Sequence, residues 1–246
     1  MFTKFPNLNT YPHLQCRLEH YFNLKIGKYY LACPYWMNKN HPKDGGSKVR
    51  GPFDGKGTPD EIESAVRKAA NQAELNLNEV QPNTIINFMK QKKIGIDCSG
   101  YAYQLLNALD LDKGGSGLEG KLTTTPTNHP KDKTRDDRFQ INANYLTQNP
   151  NSIKLNHIDE IEIGDLIRID KGKHILFIIE KNQNYLIYTH SNKDFGVHNA
   201  QINFINRTKS LSSQEWLEKT QKGEFFKNKF FNESNGDGIY RLKVWL

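Results

Sequence analysis

Cys98 is the residue of this 246-residue chain whose type and setting best suit covalent chemistry. It follows Asp97, a residue type favoured as a helix N-cap, and precedes apolar residues at helical spacing. A cysteine in the first helical turn lies at the positive end of the helix dipole, which lowers the pKa of its thiol. Its backbone N–H can face a developing oxyanion, and the small Ser99 and Gly100 allow close approach. The pattern predicts a nucleophilic Cys98, with Asp97 and Ser99 at the substrate site.

His174 is the candidate general base, because it begins an apolar strand and can face a helix packed on the sheet. His190 ends the next strand and is the candidate that orients the imidazole. A three-residue turn at 181–183 would place His190 opposite His174, and a four-residue turn would separate them onto opposite faces. A five-residue connection would instead bring Asn192 opposite His174. The alternative without function is a pair of surface strand histidines.

The elements that must position these residues follow from periodicity and capping. Residues 1–50 read as irregular, with one strand or helix around 24–32. Thr58, Pro59 and Glu61 form a capping-box pattern that predicts a helix to about Leu75. Further helices are predicted at 82–92, from Cys98 onward and after Ser212 with Glu215 as the box partner, and strands at 166–169, 174–179, 185–190 and 240–245. Helices followed by a meander indicate one α+β domain over 1–246, with a helical part in 1–93 and a catalytic helix on an antiparallel sheet in 94–246.

The segment 112–140 is polar, rich in glycine and without apolar periodicity. An insertion of this length is typical either of a lid over an active site or of a disordered surface loop. Both interpretations are kept for this segment.

Four features in this order resemble the NlpC-type cell-wall cysteine peptidases: Asp97-Cys98-Ser99-Gly100 at a helix start, Gly164-Asp165-Leu166, His174 with alternating apolar residues, and His190. The resemblance covers residues 94–110 and 160–192. It implies a papain-like fold and hydrolysis of amide bonds in peptidoglycan stem peptides. It also implies that Tyr35, from the pair Pro34-Tyr35, lines the substrate site.

The chain departs from that family's pattern in three places. A long stretch separates Pro34-Tyr35 from Cys98, where the family usually has a short one. Met37-Asn38 replaces the Gly-Gly that commonly follows the pair, and Ile175-Leu176-Phe177 replaces Val-Gly-Ile. These departures bear on the substrate more than on the mechanism.

The net charge, the lengths of the apolar stretches and the N-terminal sequence indicate which partners and which location to expect. The net charge of +7 favours anionic surroundings, but the basic residues are spread along the chain, so no specific nucleic-acid partner is expected. No stretch approaches the roughly 20 apolar residues of a membrane span, and the N-terminus lacks a secretory pattern. We expect a monomer that is cytoplasmic by default, or one that reaches the cell wall by a route without a signal.

Three cysteines far apart predict neither a disulfide framework nor a zinc site. Cys16 and Cys33 read as small buried hydrophobes. We expect no cofactor and no metal. Three functions stay open: hydrolysis of peptidoglycan stem peptides, an amidase, deamidase or acyltransferase acting on an intracellular substrate, and a basic binding module on the same scaffold.

Overall fold

The computed structural model describes residues 8–40, 48–49, 51–124 and 136–246. The helices are α1 (Pro12–Phe22), α2 (Pro59–Gln72), α3 (Pro82–Gln91), α4 (Cys98–Asp112), α5 (Ala143–Leu146) and α6 (Phe226–Phe230). The strands are β1 (Leu24–Ile26), β2 (Tyr29–Leu31), β3 (Lys39–Asn40), β4 (Lys48–Val49), β5 (Ser152–Leu155), β6 (Leu166–Ile169), β7 (His174–Lys181), β8 (Tyr185–Asn192), β9 (Gly196–Asn203), β10 (Glu215–Trp216) and β11 (Gly238–Leu242).

One large antiparallel sheet organises the second half of the chain. Its seven strands lie in the order β10-β9-β8-β7-β6-β11-β5, and each described pair is antiparallel. β1 with β2, and β3 with β4, form two separate hairpins. The predicted α+β class with an antiparallel sheet is therefore confirmed.

The sheet buries apolar side chains on both faces. Helix α4 packs on β7 and β8, and α1 packs on α4. Tyr101 and Leu105 of α4 share a core with Phe177 of β7. The other face, with Leu176 and Tyr188, packs with Leu211, Trp216 and Phe226 from the chain between β9 and β11. Burial on both faces holds β7 and β8 firmly, because each fully buried large apolar side chain contributes roughly 1.5–3 kcal/mol.

The capping signals predicted for α2 and α4 are confirmed. Thr58 and Glu61 form the reciprocal capping box of α2, which ends at Gln72, slightly before the predicted Leu75. Asp97 caps α4 by accepting a 2.6 Å hydrogen bond from the backbone N–H of Gly100. The start of α4, on which the position of Cys98 depends, is therefore determined locally.

Two predictions of local structure are wrong. Residues 12–22, read as irregular, form helix α1, whose buried leucines join the main core. The helix predicted from Ser212 is a short 3₁₀ turn at Leu211–Ser213 followed by strand β10. Pairing with β9 overrides the local capping pattern here. Glu215 and Trp216 pair with Asn203 and Ile202, and this pairing buries the indole of Trp216.

The flanks of the predicted insertion at 112–140 are packed. Leu118 and Leu122 are buried in the main core. Arg138 donates two hydrogen bonds to the carboxylate of Glu61 in α2, at 2.7 and 2.8 Å. Residues 125–135, the middle of the segment 112–140 to which both interpretations refer, lie outside the described residues.

Within the described part of the chain, none of the helices has the length and apolar character needed to cross a membrane. Cys33 is buried, as the sequence predicts, but Cys16 is exposed. It lies on the outer side of α1, whose inner side carries Leu14 and Leu18. The interpretation of Cys16 as a buried hydrophobe is therefore wrong.

Candidate active site

Cys98 lies at the first position of α4 and at the wall of a cleft of about 710 Å³. Its Sγ contacts the backbone on both sides of His174: it lies 3.9 Å from the carbonyl oxygen of Lys173 and accepts from the N–H of Ile175. His174 lines the same cleft. The structure therefore brings the predicted nucleophile and base to one cleft.

The thiol of Cys98 is protonated in this geometry. Burial and the neighbouring Asp97 carboxylate raise its pKa to about 12, although Lys56 acts in the opposite direction. The sequence pattern predicts a lowered pKa from the helix dipole. Desolvation outweighs that dipole here, because Cys98 is only 6% exposed.

Lys56 joins the start of α4 to the preceding loop. Its Nζ donates to Asp97 Oδ1 at 2.8 Å and to Ser99 Oγ at 2.5 Å, and the Ser99 hydroxyl donates to Asp97 at 3.0 Å. All three side chains are buried. Asp97 and Ser99 do line the cleft, as predicted, but their polar atoms are engaged by Lys56. They serve first to fix the ammonium beside Cys98.

Gly100 is small for a reason other than the predicted access for substrate. A Cβ at this position would lie 2.2 Å from the carbonyl oxygen of Gly55 and 2.8 Å from the Lys56 side chain. The glycine therefore lets the loop that carries Lys56 pack directly on the helix start.

His174 and His190 are in direct contact, with Nε2 of His174 2.7 Å from Nδ1 of His190. The strand register differs from the one that the three-residue turn predicts. Phe177 pairs with Thr189, and a bulge shifts the register between Ile178 and Glu180. Extended to the start of β7, this register puts Asn192 opposite His174. His190 reaches His174 as a diagonal neighbour on the same face of the sheet.

Asn192 has a different task in the structure. Its side-chain oxygen accepts from the backbone N–H groups of Asp194 and Phe195, at 2.9 Å each. It thereby closes the turn between β8 and β9. Of the two candidates for the third position, His190 is the one whose side chain contacts the base.

Glu218 contacts His198 and also His190, in the latter through Nε2, the ring nitrogen that does not contact His174. Its Oε1 lies 3.2 Å from Nε2 of His190 and 3.3 Å from Nε2 of His198, and its Oε2 accepts from Tyr188 Oη at 2.6 Å. Burial alone would raise the pKa of Glu218, but His190, His198 and Tyr188 hold it well below its usual range. Glu218 is therefore an ionised acceptor within the protein interior.

These contacts assign the tautomers. The Glu218 carboxylate can only accept, so His190 donates its Nε2–H and presents the lone pair of Nδ1. His174 must then donate its Nε2–H to His190, which leaves the lone pair of His174 on Nδ1. Burial and His190 lower the pKa of His174 well below its usual range, so this imidazole is neutral. A neutral imidazole with a free Nδ1 is the form that a general base requires.

Tyr35 lies beside Cys98 despite the long stretch of chain between them. A parallel bridge joins Tyr35 to Ile96, two residues before the cysteine, and the N–H of Trp36 donates to the Ile96 carbonyl oxygen at 3.2 Å. Tyr35 lines the cleft, and its hydroxyl contacts Met37 Sδ at 3.2 Å. Tyr35 therefore lies at the same cleft as Cys98, where the resemblance places it.

Sequence reasoning missed four residues: Lys56, Tyr188, His198 and Glu218. Lys56 lies in a glycine-rich loop with no local motif that marks it. His198 pairs directly with His190 across β8 and β9, so recognising β9 as a strand could have found it. Glu218 follows β10 in irregular chain, and no local signal marks it.

Searches against models of protein families, curated proteins and solved structures found no match to this chain.

Proposed function

We propose that this protein is a papain-like cysteine hydrolase that cleaves an amide bond in peptidoglycan stem peptides through a thioester on Cys98. The observation that carries the proposal is the 2.7 Å hydrogen bond between His174 and His190 at a cleft whose wall also holds Cys98 at a helix start. It supplies an oriented base beside a thiol.

The proposed reaction begins with a neutral thiol. His174 Nδ1 accepts the proton as Cys98 Sγ attacks the carbonyl carbon, and the thiolate forms only as the bond forms. Asp97 caps the N–H of Gly100, so the first-turn N–H groups of Cys98 and Ser99 can face the developing oxyanion. The imidazolium then protonates the leaving amine, and water activated by His174 hydrolyses the thioester.

The lining of the cleft supports a peptide substrate of mixed charge. Lys173 and Lys193 lie at the same cleft as Asp170 and Asp194. Stem peptides carry both carboxylates and amines, so both signs can be used. The net charge of +7 also suits an anionic cell wall.

Incubation of the purified protein with peptidoglycan sacculi, with mass spectrometry of the released fragments, tests this function. We expect fragments that carry a new amine terminus at one stem-peptide bond, and none with Cys98→Ala or His174→Ala. Equal release by Cys98→Ala would overturn the mechanism. Intact sacculi together with deamidation or acyl transfer on other amides would overturn the substrate and favour the intracellular alternative.

A further inference from the structure

Three atoms of the types that bind metals converge behind the base. His190, His198 and Glu218 each offer one ligand atom, and these three atoms lie within 4.8 Å of one another. Nε2 of His190 and Nε2 of His198 lie 3.2 and 3.3 Å from Oε1 of Glu218. The side chains of His190 and Glu218 are 0% and 4% exposed, and that of His198 is 19% exposed. His198 therefore provides a route from solvent to an otherwise buried cluster.

The spacing of these atoms suits a tetrahedral ion. The Nε2–Oε1 distances of 3.2 and 3.3 Å are long for hydrogen bonds to an ionised carboxylate, which are usually about 2.7–2.9 Å. Nitrogen and oxygen ligands at about 2.0–2.1 Å from tetrahedral Zn²⁺ lie about 3.3–3.4 Å apart. The two separations from Glu218 are thus already close to the ligand spacing of a zinc site, and the two histidine ligand atoms lie within 4.8 Å of each other.

In two of the three ligands, the polar atom that would not bind the ion already makes a hydrogen bond. Nδ1 of His198 lies 3.0 Å from the carbonyl oxygen of Gly196, which fixes a proton on Nδ1 and directs Nε2 at the cluster. Tyr188 Oη donates to the second oxygen of Glu218 at 2.6 Å. Hydrogen bonds of this kind orient histidine and carboxylate ligands in metal sites.

We propose that His190, His198 and Glu218 bind Zn²⁺ as an inhibitory site, and that the ion reverses the hydrogen bond between His190 and His174. The donor set of two imidazoles and a carboxylate suits zinc. None of the three is among the cleft-lining residues that the structure describes. The ion would therefore lie behind the base rather than at the scissile bond.

The inhibition follows from the tautomers. A metal-bound Nε2 of His190 carries no proton, so its Nδ1 becomes the donor toward Nε2 of His174. His174 then holds its own proton on Nδ1, the atom that must accept the proton of Cys98. This consequence rests on the proposed function, whereas binding of the ion does not.

The binding test uses the full chain with Cys98→Ser, which removes the thiol of the cleft as a competing ligand. Isothermal titration with Zn²⁺, and the visible absorption of Co²⁺, should show one ion in a four-coordinate site of nitrogen and oxygen ligands. His198→Gln and Glu218→Gln should each weaken affinity by about 100-fold or more, while exposed His157→Gln should match the parent. Circular dichroism checks that each variant is folded. Absence of binding by the parent, or equal affinity in a folded ligand variant, would overturn the site.

Two further measurements distinguish binding of the ion from its effect on the proposed activity. In ¹⁵N-histidine spectra of the Cys98→Ser protein, Zn²⁺ should move the His174 proton from Nε2 to Nδ1, and an unchanged tautomer would overturn the switch. In active protein, the Zn²⁺ concentration for half-inhibition should rise at least about tenfold in His198→Gln relative to His157→Gln. Equal sensitivity would overturn inhibition through this cluster. Ion binding without any hydrolysis would overturn the proposed function alone.

Discussion

Nδ1 of His190 accepts from Nε2 of His174 at 2.7 Å, although the register of their strands, extended from the pair Phe177–Thr189, would place Asn192 opposite His174. The two histidines are diagonal neighbours across the strands, and Glu218 orients His190 through its other ring nitrogen, Nε2. The third group at the proposed site is therefore identified by a side-chain contact and not by the cross-strand pairing.

Mutation should distinguish the role of Cys98 from the roles of the three candidates on β7 and β8, which are His174, His190 and Asn192. Cys98→Ala and His174→Ala should lower turnover by at least about 100- to 1,000-fold, since nucleophile and base act as a unit. His190→Ala should cost about 10- to 1,000-fold, because it removes the orienting acceptor of His174. Asn192→Ala should cost less, since its side chain closes a turn. Steady-state kinetics with melting curves as the folding control would check this, and a silent His190→Ala with a severe Asn192→Ala would reverse the assignment.

Glu218→Gln should lower kcat by about 10- to 100-fold with little change in KM. A glutamine amide can donate to Nε2 of His190, which would turn Nδ1 into a donor and place the proton of His174 on Nδ1. Glu218→Asp, which keeps the carboxylate, should recover part of kcat. Kinetics and ¹⁵N-histidine tautomers measured on the same samples check the link. A loss of kcat with an unaltered His174 tautomer would mean that Glu218 is structural only.

The pH dependence of alkylation should distinguish exposed Cys16 from Cys98, which is buried at the wall of the cleft. The pKa of Cys98 is raised to about 12, so its thiolate fraction is small at pH 6 and rises about tenfold per pH unit up to pH 10. Cys16 is exposed and should react as an ordinary surface thiol, while buried Cys33 should not react in the folded protein. Mass-spectrometric rates with iodoacetamide between pH 6 and 10 measure this. A plateau for Cys98 below pH 8 would show a lowered pKa, as the helix position alone predicts.

Lys56→Met should destabilise the fold by about 3–5 kcal/mol, because it leaves the buried Asp97 carboxylate without its cation. Asp97→Asn keeps a good N-cap but removes the charge. The double variant Lys56→Met/Asp97→Asn should therefore be more stable than Lys56→Met alone. Urea unfolding of all four proteins gives the coupling energy of the pair. Additive effects would show that the two groups do not interact energetically.

Several parts of the site could be predicted because their signals are local. Asp97 before Cys98 and the apolar spacing after it define a helix start within a few residues, and α4 begins there. The alternation that begins at His174 likewise predicts β7, since a strand's period of two is visible in its own sequence. The capping box of Thr58 and Glu61 is of the same kind.

The partners of those residues were decided by tertiary structure alone. The register of β8 depends on a bulge between Ile178 and Glu180, and no residue type marks a bulge reliably. Glu218 lies 28 residues from His190 along the chain, and Lys56 lies 41 residues from Asp97. Such pairs form only when packing of the sheet and of α4 brings distant segments together. The sequence by itself therefore determined where the thiol and the imidazole begin their elements. The protonation of both groups depends on buried charges that only the folded chain assembles.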